Sequence, residues 1–207
     1  MTVSVCGRHN VSNCAAAATL AYAAGIDIEI IARALQGYKP IADKRLAITE
    51  LPGGLQVVND AYNANPASMA AGLRTVAAFG AEHAESRPCR HVAALGDMLE
   101  LGPTSAALHA RIGTIAAELG YEQLLLCGEQ ATHIAQAACA AGMDAAAVHI
   151  FPQPQDMAEA ICQSWAQGTL RGGDWLLIKG SRGMRMERLL DALHQRFAKQ
   201  SATQTRG

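Results

Sequence analysis

Three short segments of this sequence concentrate the side chains that binding chemistry requires. The first is Asp60-Ala61-Tyr62-Asn63-Ala64-Asn65-Pro66, in which a carboxylate, a phenol and two amides lie within a few residues of one another. The second is Gly96-Asp97-Met98-Leu99-Glu100-Leu101-Gly102, and the third is Lys179-Gly180-Ser181-Arg182-Gly183-Met184. A carboxylate at a strand end accepts hydrogen bonds from sugar hydroxyls, and a cation beside glycines meets phosphate or carboxylate. Each segment also has a purely structural reading. Asn63 and Asn65 suit turn and cap hydrogen bonds, Asp97 suits neighbouring backbone N–H groups, and Lys179 and Arg182 suit solvated surface positions. What favours a site is position. All three segments follow runs of strand character, and in open α/β sheets ligands gather where the strands finish.

The elements that must place these turns are legible as an alternation. Arg45 to Glu50 and Leu55 to Asn59 have β character and are separated by Pro52-Gly53-Gly54, which predicts a hairpin-like connection. Asn65-Pro66 is a cap followed by proline at the first helical position, and Met69, Leu73, Val76 and Phe79 line one face of the helix it opens. Strands are expected at 91–95, 123–127, 147–151 and 174–179, alternating with helices at 104–118, 129–141, 156–167 and 184–197. Uniformly apolar strands such as Leu124-Leu125-Leu126 suit a parallel sheet covered on both faces. The fold class expected is therefore α/β, a doubly wound, mostly parallel sheet.

Upstream, Asn13 to Ala24 is rich in small apolar residues and ends at Gly25, and a second helix is expected from Asp27 as N-cap, through Ile28, Ile31 and Leu35, to Gly37. Two helices are too little for a domain. The aperiodic stretch Gly37 to Lys44, which contains Pro40, reads as a linker. The expected organisation is residues 1–39 as the remnant of one domain, 40–44 as linker, 45–199 as the α/β domain and 200–207 as a polar, disordered tail.

A net charge of -1 gives no reason for attraction to nucleic acid or an anionic membrane. No apolar run approaches the roughly 20 residues of a spanning helix, and the first residues lack the basic-then-apolar order of a secretory signal. A cytoplasmic location is the expectation. The six cysteines are scattered singly through apolar surroundings, which predicts buried reduced thiols, and neither they nor the histidines show metal-ligand spacing. Neither G-x-x-x-x-G-K-[S/T] nor a strand-following G-x-G-x-x-G occurs.

Taken together, the motifs resemble the Mur ligase family. Gly7-Arg8-His9-Asn10-Val11-Ser12-Asn13 ahead of an alanine-rich helix is similar to the segment near the end of that family's central ATPase domain. Asp60 to Met69 is similar to the D-x-Y-N-A-N-P-x-S-M signature of its D-alanyl-D-alanine-adding branch, and the Leu95–Gly102 and Lys179–Gly183 segments, the latter with Met186-Glu187, look like two further motifs of the C-terminal domain. The resemblance implies a Rossmann-like C-terminal domain preceded by helices from the end of the ATPase domain. It implies ATP- and Mg²⁺-dependent amide-bond formation between UDP-N-acetylmuramoyl-tripeptide and D-alanyl-D-alanine through an acyl phosphate. By resemblance, Asn10 and Asn13 lie against adenine, Arg45 meets the nucleotide, Asp60 holds ribose hydroxyls, and Tyr62 and Asn63 belong to the same nucleotide-facing set. Asn65, Asp97, Lys179, Ser181 and Arg182 are the candidates for binding the dipeptide. No catalytic or metal-ligating residue is assigned within these 207 residues.

Lys44-Arg45 departs from the Gly-Arg pair usual in the family. Because no phosphate loop occurs, the chain is expected to be a portion of such a ligase, inactive alone, with apolar helix faces that favour non-physiological pairing of copies. Alternatives are a non-catalytic module binding nucleotide or dipeptide, and a folate polyglutamylating ligase, against which Tyr62-Asn63-Ala64-Asn65-Pro66 argues. A nicotinamide-dependent oxidoreductase is the weakest reading, since its glycine fingerprint is missing.

Overall fold

The computed structural model describes residues 8–37, 46–82 and 89–204, with backbone alone at 8–10, 80–82 and 199–204. The chain divides into two compact units, Met1–Asp43 and Lys44–Gly207.

The first unit holds α1 (Arg8–Ala23) and α2 (Ile28–Gly37). Gly25 adopts φ +83°, and the Ile26 amide donates back to the Ala21 carbonyl at 3.1 Å, so α1 ends as the glycine foretold. Asp27 caps α2 through its carboxylate, which accepts from the Glu29 amide at 2.7 Å. Ile31 is buried, whereas Leu20, Tyr22, Ile28 and Ile30 are exposed.

The second unit begins with the hairpin β1 (Ala47–Leu51) and β2 (Leu55–Asp60), antiparallel across the Gly53-Gly54 turn. It continues with α3 (Pro66–Glu82), β3 (His91–Leu95), α4 (Ser105–Glu118), β4 (Gln123–Cys127), α5 (Ala131–Ala140), β5 (Val148–Phe151), α6 (Met157–Ala166), β6 (Trp175–Lys179) and α7 (Glu187–Gln204). Strand order is β1-β2-β6-β3-β4-β5, and every pair except β1–β2 is parallel. The final strand is thus inserted at the centre, between β2 and β3, and all its residues are buried.

Side-chain alternation divides the core into two layers. Val57, Val92, Ala94, Leu125, Leu176 and Ile178 pack with Met157 and Ile161 of α6 and with Leu189, Leu193 and Phe197 of α7. The other face receives α3, whose Met69, Leu73 and Val76 are buried as their spacing requires, and whose Phe79 meets Trp175 with ring centroids 5.1 Å apart. The sheet is doubly wound.

Three details differ from expectation. The last helix starts later, at Glu187, because the chain first makes a 3-10 turn over Arg182–Met184 and places Arg185 at φ +53°. It also runs further, so the tail expected to be disordered from Gln200 is helical to Gln204: residues 200–204 contain neither Gly nor Pro to break the hydrogen-bond ladder of α7. Of the cysteines expected to be buried, Cys127 and Cys162 are, while Cys14, Cys89 and Cys139 are only half-buried thiols, and Cys6 lies outside the described residues. Burial pushes the Cys127 thiol up to about 12. Among the described residues no helix is long and apolar enough to cross a membrane.

Candidate functional site

Strand register decides where the three polar turns meet. Lys179, the last residue of β6, pairs with Asp60 of β2 on one side and Leu95 of β3 on the other. Parallel pairing therefore makes all three strands finish level, and the turns that follow them share one edge of the sheet.

The turns are bonded to one another. Lys179 Nζ lies 2.5 Å from Asp60 Oδ2 and donates also to the Asn63 carbonyl at 3.1 Å. The other Asp60 oxygen accepts from the Leu46 amide at 3.3 Å. The Ser181 amide donates to the Asp97 carbonyl at 2.9 Å, and its hydroxyl donates to the Ala64 carbonyl at 3.2 Å while accepting from the Leu99 amide at 2.9 Å. Ser181 alone therefore ties all three turns together. Gly96 and Gly180 make this possible: a Cβ on Gly180 would stand 3.1 Å from the Gly96 Cα and 2.8 Å from Met186 Cγ.

Asn65 caps α3 as its position foretold, accepting from the Ser68 amide at 2.8 Å while the Ser68 hydroxyl accepts from the Asn65 amide at 3.0 Å. Asn63 accepts from the Ala64 amide at 2.9 Å. Asp97 faces β4: its carboxylate accepts from the amides of Glu129 and Gln130 at 2.8 and 3.1 Å. Gly128, at φ +118°, is what lets it enter, since a Cβ there would sit 2.3 Å from Asp97 Oδ1. Burial pushes the Asp97 carboxyl above the ordinary carboxylate range, and the two amides pull the other way.

Over these groups opens a groove of about 530 Å³, lined by residues 62–65, 99–101 and 181–183. Its walls are Tyr62, Asn63, Asn65, Ser181 and Arg182 from the expected set, with Ala64, Leu99, Glu100, Leu101 and Gly183 in addition. Leu99 lies across Gly183, where a Cβ would stand 2.8 Å from its Cδ1. Glu100 adopts φ +65°, a left-handed conformation unusual for a residue with a side chain, held by the bonds on either side of it. Arg182 is exposed and pairs with Glu187 at 3.1 Å.

Asp60, Asp97 and Lys179 do not line the groove. Asp97 and Lys179 are buried, at 4% and 1% exposure, beneath the turns they connect. The additional wall residues were hard to single out because Leu99 and Leu101 carry no chemistry-bearing group, though both stand inside a segment notable for its polar ends. In the first unit, Asn13 is exposed on α1 and the side chain of Asn10 lies outside the described residues; the whole of Arg45, at the start of the second unit, lies outside them too.

A mostly parallel, doubly wound sheet with a groove at its C-terminal edge defines an α/β domain of the doubly wound class, in which ligands generally gather at that edge. Residues 44–182 match the family model described as Mur ligase, glutamate ligase domain, and the chain belongs to the Mur ligase family. It is 34% identical over 205 residues to the UDP-N-acetylmuramoyl-tripeptide–D-alanyl-D-alanine ligase of Mycobacterium tuberculosis strain CDC 1551, and 29% identical over 194 residues to that of Bacillus subtilis strain 168. In both cases 92% of this chain is covered but only 39% of the relative, so the chain spans about two-fifths of the length of these relatives. Among solved structures it superposes on MurF from Acinetobacter baumannii with a TM-score of 0.76 at 26% identity, covering 93% of this chain and 39% of that one. MurF ligase from Thermotoga maritima in complex with ADP shares the fold, with a TM-score of 0.71 at 22% identity over 94% of this chain and 40% of that one.

Proposed function

We propose that these residues form the C-terminal portion of a cytoplasmic ligase that joins D-alanyl-D-alanine to UDP-N-acetylmuramoyl-tripeptide, and that the groove is where the portion meets its ligands. The observation that carries this reading is the bonding of the Asp60, Asp97 and Lys179 turns into one edge, with exposed amide, phenol and guanidinium groups above it.

The described residues fit part of a nucleotide and not the rest. A carboxylate has roughly four lone-pair sites, so Asp60 can hold Lys179 and the Leu46 amide and still accept from a ribose hydroxyl. A triphosphate needs converging backbone N–H groups. Those of Glu129 and Gln130 do converge on an anion, but the anion is the carboxylate of Asp97. Among the described residues no group of three or more His, Cys, Asp or Glu is placed to hold a metal ion. In this reading ATP supplies the phosphoryl group that makes the precursor's carboxylate a good electrophile. This chain's own residues orient the incoming amine.

Arg182 is assigned to the dipeptide carboxylate, which a guanidinium binds with two parallel hydrogen bonds. Asn65 and Ser181 set the walls around it, and Tyr62 and Asn63 flank the nucleotide side. Asp97 and Lys179 act as positioning groups rather than contacts. Asn10, Asn13 and Arg45 enter through the family resemblance. The exposed Leu20, Tyr22, Ile28 and Ile30 fit helices that complete a larger domain.

The test is phosphate release from ATP that depends on both peptide substrates. It is measured for the 207-residue chain alone and for a chimera in which these residues replace the matching 39% of MurF from Acinetobacter baumannii. Turnover by the chimera and none by the chain alone is expected. A folded chimera that releases no phosphate with D-alanyl-D-alanine, or turnover by the chain alone, refutes the reading.

A further inference from the structure

His109 stands outside every motif in the sequence, yet it is fully buried on α4, facing the turn after β3. Its ring meets two backbone groups whose roles chemistry fixes. Nε2 is 2.8 Å from the Met98 amide, which can only donate, so Nε2 carries no proton. Nδ1 is 2.8 Å from the Ser105 carbonyl, which can only accept, so Nδ1 carries the proton. Both contacts require the same neutral tautomer.

Three successive residues are thus pinned to three different elements. Asp97 is held by the amides that lead into α5, Met98 by His109 of α4, and Leu99 by Ser181 of the turn after β6. Immediately beyond comes Glu100, whose left-handed conformation persists only where its surroundings over-determine it. Met98 is buried, at 1% exposure, so no solvent stands ready to replace His109 as acceptor.

The geometry points to His109 as a positioning residue that sets the 99–101 wall of the groove, and so the affinity of the groove, without touching what binds there. Only the kinetic arm of its test rests on the ligase reading. Removing the acceptor frees the wall to sample other conformations. A side chain that returns an acceptor at the Nε2 position restores it, and glutamine is the one of suitable reach.

Amide hydrogen exchange on the 207-residue chain tests this with His109→Phe and His109→Gln. In the phenylalanine variant the amides of residues 98–101 are expected to exchange about tenfold faster or more, while Ala93 and Leu125 keep their protection; the glutamine variant restores most of the difference. In the wild type, nitrogen-15 spectra of the imidazole are expected to show Nδ1 protonated and Nε2 bare, a readout that stands even if the phenylalanine variant fails to fold. In the chimera, His109→Phe is expected to raise KM for the dipeptide about tenfold with kcat changed much less. Unchanged exchange at 98–101, the opposite tautomer, or equal harm from Gln and Phe overturns the assignment. An inactive wild-type chimera contradicts the ligase reading and leaves the exchange result to decide this one.

Discussion

Asp174 and Asp97 are both buried aspartates at the ends of strands in one sheet, and both accept from two backbone amides. Their company differs. Asp174, at the start of β6, accepts from Arg90 at 3.1 Å and Arg171 at 2.8 Å, closing the chain as it enters two strands. Asp97, at the opposite edge, shares its surroundings with the Asp60–Lys179 pair, with Ser181 and with His109. A buried carboxylate can do the same local work at either edge. What distinguishes the C-terminal edge is that its buried polar groups connect three turns and leave Tyr62, Leu99, Glu100 and Arg182 exposed above them.

The largest expected effect sharpens this difference. Lys179→Met leaves the Asp60 carboxylate beside the groove without its ammonium partner, and breaking a buried pair on one side costs about 3–5 kcal/mol. Asp174→Ala leaves amides unmet at the far edge and costs about 1–3 kcal/mol, with the groove intact. Chemical denaturation of both variants checks the order, and nitrogen-15 shifts at residues 62–65 and 99–101 are expected to move only with Lys179→Met. Equal, small losses would mean that the pair is solvated and the two edges are alike.

A smaller effect separates the edges by pH. Burial holds the folded-state carboxyl of Asp97 above its ordinary 3.8, so the folded protein binds that proton more tightly than the unfolded chain does. The stabilisation this gives is fully present below the ordinary value and is lost as pH rises through the raised one. Relative to Asp97→Asn, the wild type is therefore expected to gain stability as pH falls from 7 toward 4, read as a growing difference in Tm. A difference that shrinks over that interval contradicts the assignment of burial as the dominant cause.

The alternation of strands and helices was written plainly in the sequence, because buried parallel strands such as Leu124-Leu125-Leu126 are apolar throughout and Asn65-Pro66 opens a helix by local rules alone. The partners of the polar turns were not. That β6 inserts between β2 and β3 is a long-range fact, and only this order sets Lys179 opposite Asp60. A lysine at a strand end therefore reads equally as a ligand contact, a solvated charge or a buried partner until the register is known. His109 was silent for a related reason: its acceptor role depends on Met98 eleven residues earlier, and nothing in a lone histidine on an apolar helix face announces it.

The central claim is that the three C-terminal turns act as one binding edge, and its most direct test is nitrogen-15 chemical-shift mapping of the 207-residue chain titrated with D-alanyl-D-alanine. The expected shifts cluster at residues 62–65, 99–101 and 181–183, and Arg182→Ala weakens them while changing stability by less than about 0.5 kcal/mol. Shifts around Arg90, Glu122 and Asp174 instead, or none at any dipeptide concentration, would contradict it.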